Sequence, residues 1–81
     1  MAEKVAAVVG VGPGLGAAVA RRFAREGYAV ALVARREESL SSVREEIEAR
    51  GGTALPVTAD ATDPASVTAA FERIRRELGD P

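Results

Sequence analysis

The sequence predicts an α/β fold in which three parallel strands alternate with three helices, βαβαβα, in a sheet of order 3-2-1. Three observations carry this reading. Continuous apolar runs at Lys4–Gly10 (KVAAVVG) and Ala29–Ala34 (AVALVA) suit strands buried on both faces. Apolar residues recur at helical spacing after each predicted strand. Glycine or Asp-Pro punctuation falls at the junctions.

The elements follow in order. Lys4–Gly10 is the first strand. From Leu15 to Glu26 a helix is expected, with Leu15, Val19, Phe23 and Ala24 inward, Arg21, Arg22 and Arg25 outward, and Gly27 as its stop. Ala29–Ala34 is the second strand. A second helix is expected from about Glu37 to Arg50, its inner face marked by Leu40, Val43 and Ile47. Glu37 and Glu38 complement its N-terminal dipole, and Gly51-Gly52 ends it. Thr53–Ala59 (TALPVTA) is a third strand, and Pro56, lacking an N–H, assigns it to an edge. Asp63-Pro64 then opens a helix as N-cap and first residue. Val67, Phe71, Ile74 and Leu78 supply its stripe, and Gly79 terminates it. Parallel strands joined by short helical crossovers place the first strand beside the second and the third beyond it.

Composition bounds the function. The chain has 81 residues, 47% of them apolar and 28% charged, with a net charge of −1. It is a single domain, and chains of this size bury only about 60–65% of their unfolded surface, so stability is marginal. No excess of Lys and Arg exists to neutralise a nucleic acid. The absence of Cys and His excludes disulfide and thiolate chemistry, and no metal site is expected. No apolar run is long enough to span a membrane, and the N-terminus lacks the order of a signal peptide. A cytoplasmic location is expected.

The chemistry lies in Gly10-Val11-Gly12-Pro13-Gly14-Leu15-Gly16, four glycines within seven residues where a strand hands over to a helix. Such a loop turns tightly and lets its backbone approach a ligand closely. The helix beyond it presents unpaired N–H groups and a positive dipole end. Together they make a diphosphate site that needs no cationic side chain. The competing reading is a glycine-rich turn that only packs helix on strand. Packing explains one glycine well and four poorly. Gly12-x-Gly14-x-x-Ala17 fits the general dinucleotide fingerprint, and Gly10-x-x-x-Gly14-x-Gly16 fits a wider-spaced version.

That second spacing, followed by AAVARRFAREGYAVALVARREESL, resembles the N-terminus of the short-chain dehydrogenases/reductases. The likeness spans the chain, because Asp60-Ala61-Thr62-Asp63 resembles the family's acidic motif after the third strand. It implies a truncated Rossmann fold, with Gly10, Gly12, Pro13, Gly14, Leu15 and Gly16 around a diphosphate and with Asp60 and Ala61 holding adenine. Val9 stands where a threonine is usual, and Pro13 removes one N–H donor from the loop. Asp60 could equally cap the turn, and Asp63 reads as a helix cap.

Cofactor choice is set at the end of the second strand. A carboxylate there accepts the ribose hydroxyls of NAD and repels the 2′-phosphate of NADP. In this chain that position is Ala34, followed by Arg35 and Arg36. By resemblance Arg35 is the 2′-phosphate ligand and Arg36 a stacking or secondary partner, so NADP(H) is expected over NAD(H). The alternative is that both arginines only solvate the next helix.

Members of the family reduce carbonyls with a tyrosine, a lysine four residues later, a serine and an asparagine. Here Tyr28, the only tyrosine, is followed four residues later by Leu32, Lys4 is the only lysine, and asparagine is absent. Ser39, Ser41, Ser42 and Ser66 fall on helices or caps with no histidine to activate them. No catalytic residue is assigned. Residues 1–81 are expected to be a nucleotide-binding half-domain and a fragment. The first strand, left as an apolar edge, is expected to drive homo-oligomerisation. A stand-alone nucleotide-binding module and a structural element that self-associates are the alternatives.

Overall fold

Every residue of Ala29–Ala34 is buried, and this strand is the middle of the sheet. The computed structural model describes residues 4–10 and 15–80, with the side chains of residues 15 and 39 outside that description. The elements are β1 (Val5–Val9), α1 (Leu15–Arg25), β2 (Ala29–Ala34), α2 (Glu38–Ala49), β3 (Thr53–Thr58) and α3 (Pro64–Glu77). All strands are parallel in the order β1-β2-β3, with Val9 opposite Val33 and Val33 opposite Val57. The ladder runs one residue past the strand ends, through Gly10 N–H to Val33 O at 2.8 Å and Ala59 N–H to Ala34 O at 2.9 Å.

Alternation along β2 builds the two layers. Val30, Leu32 and Ala34 pack with Val8 against Ala17 and Ala20 of α1 and Leu40, Val43 and Ile47 of α2. Ala29, Ala31 and Val33 face the other way and pack with Val5, Val57 and Ala59 against Ala70 and Ile74 of α3. Two helices thus cover one face of the sheet and one covers the other. On the α3 side the end of β1 is left open, and Val9 is 50% exposed.

The inward face of α1 differs from the sequence expectation. Val19 is exposed, and the buried positions are Ala17 and Ala20, with Phe23 and Ala24 partly buried. Small residues let this helix lie close to Val30 and Leu32, and alanine carries little weight in a periodicity count. The second and third helices pack as expected. Ala70 joins the α3 stripe, in which only Ile74 and Ala70 are fully buried.

Boundaries shift by a residue. The first helix ends at Arg25, not Glu26, where Gly27 takes φ +92°. Tyr28 N–H returns to Phe23 O at 3.1 Å, and the two rings meet edge to face at 5.1 Å. This is the hydrogen bond and apolar contact that close a helix through a left-handed glycine. The second helix runs from Glu38 to Ala49, with Glu37 and Arg50 as its flanking caps. Pro56 lies on the outer strand, as its missing N–H requires.

Candidate functional site

Parallel strands end together, so the residues that follow them converge at the carboxyl edge of the sheet, where open α/β sheets hold their ligands. Here Val9 of β1 and Gly10 after it, Val33 and Ala34 of β2 and Arg35 after them, and Ala59 to Thr62 beyond β3 line a crevice of about 180 Å³. Val67, Ala70 and Phe71 of α3 form its far wall. The walls are largely apolar. Asp60, half-buried, and Arg35, exposed, supply the charge.

Gly10 holds φ +82°, a conformation that disfavours any residue with a Cβ. A Cβ there would meet no atom within 4 Å, so the requirement is in the backbone and not in crowding. Of the predicted loop, Gly12, Pro13 and Gly14 lie outside the described residues. Leu15 and Gly16 form the first residues of α1, and Gly16 is half-buried.

Asp60 is held on several sides. Its backbone N–H donates to Ser66 Oγ at 2.9 Å, and its carbonyl accepts from Asp63 N–H at 3.0 Å. Its Oδ1 accepts the backbone N–H of Thr62 at 2.9 Å and the Thr62 hydroxyl at 2.6 Å. The Thr62 hydroxyl, the Thr62 N–H and the nearby Arg35 guanidinium hold the carboxyl below its ordinary value, against the opposing pull of partial burial. Asp60 is therefore an anion at neutral pH. Asp63 caps α3 by accepting from Ala65 N–H at 3.1 Å.

The structure brings Gly10, Arg35, Asp60 and Ala61 to one crevice. Arg36 is exposed and is not among the lining residues. Sequence reasoning missed Thr62 and Ser66 as partners of Asp60. The signal was present, since an aspartate followed two residues later by a hydroxyl residue is a local turn former. Val67 and Phe71, read from the sequence as part of the apolar stripe of α3, are half-buried and also wall the crevice, and Phe71 packs against the core as well.

A flat, apolar, partly polar-edged ligand suits these walls better than a hydrated ion does. One carboxylate can accept from a ring amine, and one guanidinium can meet an anion at the mouth. The residues present fit the adenosine end of a dinucleotide.

Comparison with known proteins identifies the family. The profile of the short chain dehydrogenase family matches residues 4–80. An uncharacterized oxidoreductase of Caenorhabditis elegans is 44% identical over 77 residues, which cover 94% of this chain and 25% of the relative. The crystal structure of a short-chain type dehydrogenase/reductase from Mycobacterium marinum superposes with a TM-score of 0.91 at 37% identity, over 96% of this chain and 32% of that one. A metagenomic short-chain oxidoreductase, solved in complex with NADP, superposes with a TM-score of 0.90 at 34% identity, over 98% of this chain and 36% of that one. The chain spans about a quarter to a third of the length of these proteins. With the strand order, the carboxyl-edge crevice and the matched span in agreement, this chain belongs to the short chain dehydrogenase family.

Proposed function

We propose that the chain is the NADP(H)-binding portion of a short-chain oxidoreductase and that it prefers NADP(H) to NAD(H). The observation that carries this is the end of β2. Ala34 stands where a ribose-binding carboxylate would be, and Arg35 follows it into the crevice. A neutral small residue leaves room for a 2′-phosphate, and a guanidinium can hold one bidentately. Asp60 and Ala61 receive the adenine, with Gly10, Gly12, Pro13, Gly14, Leu15 and Gly16 around the diphosphate. Arg36 contributes from outside the crevice.

Within these 81 residues the reading is binding without turnover. Tyr28 precedes β2, at the opposite end of the sheet from the crevice, and its ring packs on Phe23. Titration of the chain with NADPH, NADH and ADP-ribose tests the proposal. NADPH is expected to bind most tightly, and the absence of binding at millimolar ligand would refute it.

A second reading is favoured by one observation. β1 pairs only with β2 among the described residues, and Val9 at its end is half exposed. An open apolar edge is a template for a second chain. We therefore also propose self-association through β1. Sedimentation is expected to show dimers, and a monomer with well-protected β1 amides would contradict this.

A further inference from the structure

At the amino edge of the sheet, the end away from the crevice, a second and larger pocket of about 270 Å³ lies between the last turns of α1 and α2. Ala24, Tyr28 and Ile47 give it an apolar wall. Arg21, Arg25 and Arg50 line it with a single carboxylate, Glu46, in a chain whose net charge is −1. Glu46 is already held by Arg21, whose Nε donates to Oε2 at 2.8 Å and Nη2 to Oε1 at 3.0 Å. Arg25 and Arg50 make no ion pair among the described residues. Lys4 Nζ, 5.8 Å from the centroid of the Tyr28 ring, adds a cation beside the pocket.

A competing reading gives each arginine one task, to complement the negative end of its own helix. Those ends are already blunted. Ala24 O accepts from Gly27 N–H at 3.1 Å, and Ile47 O accepts from Gly52 N–H at 2.9 Å. Arg22 also lies in the last turn of α1, yet it pairs with Glu26 and lines no part of the pocket. Dipole compensation needs no shared cavity, whereas Arg25 and Arg50 come from different helices and border the same one.

We infer that this pocket is a second ligand site, which takes a small organic anion with an apolar body. Arg25 and Arg50 meet the carboxylate or phosphate headgroup with charge-assisted hydrogen bonds, and the body lies on Ala24, Tyr28 and Ile47. No residue lines both this pocket and the crevice, so the two sites stand or fall separately.

The experiment titrates the full chain with cyclohexyl phosphate, cyclohexanecarboxylate, inorganic phosphate and the uncharged cyclohexylmethanol. Tyr28 is the only tyrosine and tryptophan is absent, so intrinsic fluorescence reports on this pocket. Both cyclohexyl anions are expected to bind at about 1 mM, roughly tenfold more tightly than inorganic phosphate or the alcohol. A preference between the two anions supports the site and names its headgroup. Arg25→Gln and Arg50→Gln are each expected to weaken cyclohexyl phosphate about tenfold, the scale of one charged hydrogen bond. Both side chains are exposed, and circular dichroism is expected to show the fold intact. Arg22→Gln is expected to change nothing. Inorganic phosphate or the alcohol binding as tightly as the cyclohexyl anions would overturn the inference. So would unchanged affinity in both Arg25→Gln and Arg50→Gln, an equal loss in Arg22→Gln, or no fluorescence change at about 10 mM probe.

Discussion

Thr62 donates its backbone N–H and its hydroxyl to a single oxygen of Asp60, at 2.9 and 2.6 Å. Both donors favour the charged form, and Arg35 adds to them, so the folded-state pKa lies below the unfolded one. A carboxylate of this kind contributes stability above its unfolded pKa and loses it as pH falls through the folded value. Carbon-detected NMR of the Asp60 carboxyl is expected to show titration below the ordinary aspartate range. Thr62→Val should move that titration upward and bring acid unfolding to higher pH. An unmoved titration would show that the hydroxyl contributes nothing in solution.

Gly10→Ala separates backbone conformation from space. The site is open, yet the backbone is left-handed at φ +82°. An alanine there is expected to cost about 1–2 kcal/mol, measured by urea unfolding. Loss of NADPH affinity should exceed what destabilisation alone removes, because the residue borders the crevice. Full affinity in a folded variant would show that the β1 terminus can change shape without consequence.

Leu40 is fully buried between α2 and the face of β2. Leu40→Ala is expected to cost about 2–5 kcal/mol, which for a domain this small approaches its whole stability. Circular dichroism is expected to show a chain largely unfolded at room temperature. A cooperative melt within a few degrees of the wild type would contradict the packing described for this layer.

Much of the architecture was legible because its signals are local. Ala29–Ala34 is apolar throughout, as a strand covered on both faces must be, and Leu40, Val43 and Ile47 mark a buried stripe without ambiguity. Pro56 announced an edge because it lacks a donor. Where reading failed, the cause was tertiary. Spacing marks Val19 as inward, and the close seating of α1 on Ala17 and Ala20 turns it to solvent. Val67 and Phe71 look identical in a periodicity pattern whether they meet a core or a crevice. Whether Arg35 or Arg36 lines the crevice depends on how the chain leaves β2, and no spacing rule states it. The clasp of Thr62 and Ser66 on Asp60 needed the start of α3 in place before it could be seen.

In the proposed function, Arg35 beside Ala34 selects a 2′-phosphorylated nucleotide. Affinity for NADPH and NADH should be measured side by side in the wild type and in Arg35→Glu. NADPH is expected to bind the wild type more tightly, by about tenfold or more on the scale of one charged hydrogen bond, and the variant is expected to lose or reverse that preference. Equal affinities in the wild type, or a preference that survives Arg35→Glu, would contradict it.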